Sequence, residues 1–294
     1  MSQLEFLNYY QVQSTRNIAK SALRSFNEYL TSNNMTEDQF ITNLKSQEQK
    51  DQGRAIRKLY DFLQTKMVLS SCNKYKNYIL SYLADQNITI NQHFLNMAFQ
   101  GVQSPLLENA KTPTIKQIRE IIKMINPIDA KLFFMVQFVS TMRQNEARLL
   151  QTSDIDFDAE PTLIHLQAKN TKTRRERVTF LTSDVSKSLL EYIRINNIEG
   201  QIFNHSAQSY NNHFNRAVRK LGLDEKFSET NRNKLSIHRL RAAGSQILTD
   251  RIDHDFADVL MGHTNGLKTY SVGNEERLSE LYLKAEPGLK LNII

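Results

Sequence analysis

Between residues 14 and 100 apolar positions recur every three to four residues, with polar ones between them. Ile18, Ala22, Leu23, Phe26 and Leu30 fall on one stripe of a 3.6-residue helix, and Ile56, Leu59, Tyr60, Leu63 and Met67 on another. Further helices are predicted over Tyr75 to Leu83 and over Asn91 to Phe99. Four short amphipathic helices can bury their stripes only against one another, as a compact bundle. The periodicity fades from Gly101 to Pro113, where Gly, Pro, Ser, Asn and Thr gather. A domain boundary belongs there, giving an N-terminal domain over 1–108 and a second over 109–294.

The second domain opens with a helix capped by Thr114 and stopped at Asn126-Pro127. The run Leu132 to Val139 is apolar on almost every side, as in a helix buried on most of its faces, and leads to a polar-faced helix over Gln144 to Leu150. The period then changes to two: Ile164, Leu166 and Ala168 alternate with His165 and Gln167, and Val178 with Phe180. The two runs predict a β-hairpin with a long basic tip. Ser183 or Asp184 can cap a helix carrying Val185, Leu189 and Ile193 on one face, and from Tyr210 the pattern is helical again, with polar breaks near 228–233 and 262–266. The fold class is therefore mainly α with a small β-sheet, in two domains.

Composition narrows the partners. The 294 residues carry 38 Lys and Arg against 31 Asp and Glu, a net charge of +7 that favours a polyanion. A single cysteine, Cys72, excludes a disulfide framework and a zinc site built on cysteine pairs, and it suits a reducing cytoplasm. Met1 to Tyr10 lacks a basic region followed by an apolar run, so no secretory leader is expected there, and Leu132 to Val139 is too short to span a bilayer.

Four segments stand out for chemistry. Arg143 appears where the buried helix ends, with Glu146 three residues on. The hairpin tip holds Lys169, Lys172, Arg174, Arg175 and Arg177, opposed only by Glu176, and could track a phosphate backbone. Ser236 can cap a helix on which His238 and Arg241, three apart, share a face; a helix N-terminus with an Arg suits a phosphate. Gly262 can end a helix in the left-handed conformation, placing His263 on a turn, and Tyr270 follows.

In this order the segments resemble the catalytic domain of the tyrosine recombinases. Thr-Met-Arg143-Gln-Asn-Glu146 resembles the family's first-Arg motif, His238-Arg-Leu-Arg241 its His-x-Leu-Arg box, and Leu-Met-Gly-His263 its Leu-Gly-His box. The likeness covers about residues 112–284; the N-terminal bundle is similar, less specifically, to the family's core-binding domain. Two positions depart: the family usually has a small residue where Met142 stands and a second His where Ala242 stands. The interval from His263 to Tyr270 is compact, similar to some archaeal and viral integrases.

The resemblance implies a site-specific recombinase or integrase that cuts and rejoins double-stranded DNA at specific sites through a 3′-phosphotyrosine, with no metal, cofactor or ATP. It assigns Tyr270 as nucleophile, Arg143 and Arg241 as clamps on the non-bridging oxygens, and His238 as acid–base on the tyrosine side. His263 becomes a donor to the phosphate and Lys169 the acid for the departing 5′ oxygen. Lys172 is a rival for Lys169, and Tyr282 for Tyr270, although Tyr282 shares an amphipathic face with Leu278 and Leu281, as a packing residue would. Glu146 would brace Arg241 or His238. Strand exchange between two duplexes implies four protomers on paired sites. Leu289, Leu291, Ile293 and Ile294 could dock on a neighbouring protomer or pack on their own domain. Two other readings share the scaffold: a type IB topoisomerase-like DNA-relaxing enzyme, and a non-catalytic DNA-binding protein.

Overall fold

The helix-forming stripes and the period-two segment meet the structure element by element. The computed structural model describes residues 2–102, 109–228, 230–263 and 275–293. The chain divides into two units, Met1–Leu107 with Ser228–Thr230, and Glu108–Phe227 with Asn231–Ile294.

Among the described residues the first unit contains six helices: α1 (Gln3–Asn8), α2 (Gln13–Ser32), α3 (Glu37–Ser46), α4 (Gln49–Gln64), α5 (Leu69–Asp85) and α6 (Gln92–Ala98). Its core joins Ala22, Leu23, Phe26 and Leu30 of α2 to Ile56, Leu59, Tyr60 and Leu63 of α4 and Ile79, Tyr82 and Leu83 of α5. Ile18 lies outside that stripe and is exposed; Ala19 faces the core in its place. The sequence pattern assigns no separate helix at α1 or α3, although residues 14–100 read as helical throughout. The local signal for α3 is a capping box, with Thr36 accepting from Gln39 N and Gln39 reaching back to the cap. Buried Gln52 donates to Leu44 O at 2.8 Å and so ties α4 to the end of α3. Cys72 is buried, its thiol pKa pushed up by desolvation, as a structural cysteine should be.

In the second unit α7 (Ile115–Lys123), α8 (Ile128–Val139) and α9 (Gln144–Arg148) precede a three-stranded antiparallel sheet. Its strands are β1 (Ile155–Asp156), β2 (Leu163–Leu166) and β3 (Arg177–Phe180). Leu163 pairs with Phe180 and Leu166 with Arg177. Then come α10 (Ser183–Ile195), α11 (Ala207–Lys220), α12 (Ile237–Arg251), α13 (His254–Met261) and α14 (Glu275–Leu289). α8 runs through the middle of the core: all nine residues from Leu132 to Ser140 are buried, which is why its sequence shows no polar face. α12 packs closely on it, since a Cβ at Gly244 would meet Phe138 O at 2.5 Å. α10 starts one residue earlier than expected, with Thr182 at the cap.

The C-terminal residues pack on their own unit, the second of the two arrangements the sequence allowed. Leu289 and Leu291 are buried in its core. Asp184 Oδ2 accepts from Leu291 N and Asn292 N at 2.8 and 2.7 Å, and Arg119 donates to Lys290 O at 2.7 Å. Among the described residues no helix is long and apolar enough to cross a membrane.

Candidate active site

Arg143 enters the site because α8 ends. Ser140 caps α8 and its hydroxyl donates to Val136 O at 2.6 Å, and Thr141 turns the chain with φ 53°. The left-handed position, where a small residue would sit without strain, is therefore Thr141; Met142 is a buried core residue.

Arg143 is the N-cap of α9, and Glu146, three residues on, reaches back to accept from Arg143 N at 2.8 Å. An acidic residue in a first helical turn normally faces water. Glu146 is 2% exposed and collects cations instead. Its Oε1 accepts from the Arg143 guanidinium at 3.0 Å and its Oε2 from Arg177 at 2.5 Å, while Arg241 lies 3.8 Å from Oε2. Burial would raise the Glu146 pKa, but Arg177 and the hydrogen bonds from Arg143 outweigh it and hold the carboxyl below its usual range.

Arg177 departs from expectation. The sequence places it among the cations that the hairpin could present to a phosphate backbone. It is instead the first residue of β3, with its side chain 8% exposed, paired to Glu146 and donating to Leu260 O. A charge count within a hairpin cannot reveal that a buried carboxylate on another element draws one cation inward. The remaining basic residues, Lys169, Lys172, Arg174 and Arg175, are exposed. Their loop is compact: Ala168–Asn170 form a 3₁₀ turn, and Thr171 Oγ1 accepts from Arg175 N at 3.1 Å.

Arg241 comes from the first turns of α12. Ser236 occupies the cap but makes no side-chain capping bond, unlike the expectation. Arg241 is 1% exposed and donates to Met261 O at 2.7 Å, and Arg143 approaches the same carbonyl at 3.4 Å. Its second terminal nitrogen has no hydrogen-bond partner among the described residues. Desolvation, then the charges of Arg143 and Arg177, pull the Arg241 pKa down to about 9, which leaves it cationic at neutral pH. His238, one helical turn earlier, faces solvent. Desolvation on its protein side lowers its pKa, followed by the charges of Arg241, Arg239 and Arg143. At neutral pH His238 is therefore held toward the neutral imidazole, the form able to accept a proton.

The carbonyls that receive these guanidiniums are the last two of α13. An αL glycine ends this helix: Gly262 has φ 70°, its N–H donates to Val259 O at 2.9 Å, and His263 N folds back to Asp258 O at 2.9 Å. A Cβ at Gly262 would meet Arg177 Nε at 2.7 Å, so the turn and the buried cation fit only around a glycine. His263 is carried over the last turn of α13, where its Nδ1 lies 2.8 Å from Asp258 Oδ1. A cavity bordered by His165, Arg175, Arg177 and His263 opens between the hairpin and this turn.

The structure thus brings Arg143, Arg241 and His263 to the C-terminal end of α13, with His238 within electrostatic reach. Lys169 sits on the exposed hairpin, and Tyr270 lies outside the described residues. The rival phenol of Tyr282 is fully buried, donates to Val139 O at 2.9 Å and packs on Phe180 at 5.2 Å between ring centroids. Sequence reasoning placed Arg177 on the exposed tip and missed its buried pairing with Glu146, and it missed Asp258; the signal for the latter was the αL turn at Gly262, which sets the following residue above a position five back. Among the described residues no group of three His, Cys, Asp or Glu side chains could hold a metal ion.

The family model described as the phage integrase family matches residues 111–272, more than half of the chain. No curated protein sequence matches the chain. Among solved structures the chain is similar to XerH site-specific recombinase bound to difH substrate in a pre-cleavage complex, with TM-score 0.60 and 17% identity, covering 90% of this chain and 78% of that one. It is also similar to a lambda integrase dimer bound to a COC′ core site, with TM-score 0.55 and 17% identity over 85% of this chain and 96% of the other. A lambda integrase tetramer bound to a Holliday junction gives TM-score 0.56 at 17% identity over 84% and 77%. At these identities the likeness is one of fold.

Proposed function

The chain belongs to the phage integrase family, the tyrosine recombinases, and from that premise we propose that it is a site-specific recombinase that cleaves and rejoins double-stranded DNA through Tyr270. The observation that carries the reading is the meeting of Arg143 and Arg241, from α9 and α12, on one carbonyl of α13 above a single buried carboxylate. Two guanidiniums fixed this way suit the two non-bridging oxygens of a phosphodiester, whose charge builds up in the transition state.

In this mechanism the Tyr270 phenol attacks the scissile phosphorus and its proton passes to His238. The phosphorus–5′-oxygen bond breaks, Lys169 gives a proton to the departing oxygen (Lys172 is the alternative donor), and the DNA 3′ end stays on the enzyme as a phosphotyrosine. His263 donates to a phosphate oxygen. Attack by a 5′-hydroxyl on the phosphotyrosine reverses each transfer and restores the phenol, so bond energy is conserved and no ATP is consumed. The buried, hydrogen-bonded phenol of Tyr282 supports Tyr270 as the nucleophile. The N-terminal helical unit would serve as a core-binding domain, and four protomers would assemble on two paired sites.

The test is a nicked suicide substrate resolved on a denaturing gel. Wild-type protein is expected to yield a covalent protein–DNA band, and Tyr270→Phe to yield none while still shifting the same DNA in a native gel. A band of undiminished intensity from Tyr270→Phe would remove Tyr270 from the mechanism.

A further inference from the structure

Asp258 is a buried carboxylate with no evident packing purpose. It lies in the middle of α13 and is 6% exposed. Its side chain takes part in no helix cap; the cap of α13 is Asp253, which accepts from Phe256 N at 2.7 Å. Among the described residues the Asp258 side chain meets two histidines: His263 Nδ1 at 2.8 Å from Oδ1, and the more exposed His254 Nδ1 at 3.7 Å from Oδ2. The shorter contact has hydrogen-bond length and the longer does not. Burying a carboxylate for a single hydrogen bond to one imidazole is unfavourable unless that imidazole must be held.

We propose that Asp258 is a positioning residue that fixes the Nδ1 proton and the orientation of His263. A carboxylate accepts and an imidazole N–H donates, so the contact fixes the proton on Nδ1 and leaves Nε2 facing away from α13. Two constraints then hold the ring: the αL turn at Gly262 fixes where His263 leaves the helix, and Asp258 fixes the ring's rotation about its side-chain bonds. The arrangement parallels the way a carboxylate orients a catalytic or metal-bound imidazole through its other nitrogen. By valence, a ring that gives its Nδ1–H to Asp258 donates from Nε2 only as the imidazolium. Asp258 therefore supplies both geometry and a countercharge on the side opposite the phosphate.

The inference rests on the proposed role of His263, and the experiment separates the two. Protein labelled with 15N at histidine is compared as wild type, Asp258→Asn, Asp258→Ala and His254→Ala, by imidazole 15N shifts and by single-turnover cleavage of the suicide substrate. In wild type the His263 signals should report a proton on Nδ1, and in Asp258→Ala a mixture of tautomers. Cleavage by Asp258→Ala should fall at least about tenfold with DNA binding unchanged. Asp258→Asn, which keeps an acceptor but no charge, should retain the tautomer and recover part of the rate, and His254→Ala should match wild type. If Asp258→Ala leaves both the His263 shifts and the cleavage rate unaltered, the proposal is wrong. If the shifts change and cleavage does not, Asp258 orients His263 without serving the reaction, which also overturns it. Absence of covalent product from wild type would instead count against the functional reading, leaving the tautomer result to stand by itself.

Discussion

Replacing Glu146 by Gln removes one negative charge from beneath three guanidiniums while changing almost nothing in shape. The amide can still accept from one Arg, but its NH2 group must then face another donor, and Arg143, Arg177 and Arg241 lose the anion that lies 3.0, 2.5 and 3.8 Å from them. Breaking a buried ion pair from one side costs about 3–5 kcal/mol. Because Gln keeps one acceptor, the lower end applies, about 3 kcal/mol. For a domain of this size that is a fall in melting temperature of about 6–12 °C. The assay is thermal unfolding of the full chain, followed through the transition of the second unit. Acid gives an independent check of sign. Glu146 has a depressed pKa in the folded state, so its stabilisation is complete above the unfolded value of roughly 4.3 and is lost as pH falls through the lower folded value. Glu146→Gln should therefore lose less stability than wild type on acidification in that range. A variant that melts within about 1 °C of wild type at pH 7 would refute the idea that Glu146 is the electrostatic keystone of the cluster.

Two further substitutions probe the frame around the site. Gly262→Ala demands a left-handed alanine at φ 70° and drives a Cβ toward buried Arg177; a loss of about 2 kcal/mol is expected in denaturant unfolding, together with a marked drop in suicide-substrate cleavage. Tyr282→Phe removes the hydrogen bond to Val139 O and should cost about 1–2 kcal/mol while leaving the covalent adduct intact; loss of the adduct without loss of stability would make Tyr282 the nucleophile after all.

Legibility in the sequence followed the range of the interactions involved. α2, α4 and α8 were readable because burial of a stripe, or of a whole helix, is written at intervals of three and four residues. α3 escaped because its apolar positions are sparse, Phe40 and Leu44 being the buried ones, and only the Thr36–Gln39 capping box announces it. β2 and β3 followed their period of two, but that period names only Val178 and Phe180 on β3 and says nothing of what covers the other face, where Thr179 donates to Ser140 O at 2.7 Å and Arg177 pairs with Glu146. Arg143, His238, Arg241 and His263 were found by residue type and order. What holds them could not be read locally: Glu146 meets Arg177 across 31 positions, and Met261 O receives Arg143 across 118. Such pairings exist only once the chain has folded.

The imbalance of charge around Glu146 has a consequence for how this fold can evolve or be engineered. On the proposed function, three like-charged groups crowded around the buried Glu146 repel one another while no substrate is bound, and an incoming phosphate would relax that tension. Grip on the substrate and weakness of the empty protein are then one property seen from two sides. A second acid placed beside Arg241 to quiet the repulsion would yield a sturdier molecule with a poorer hold on DNA, and selection for thermal robustness alone would drift toward that outcome.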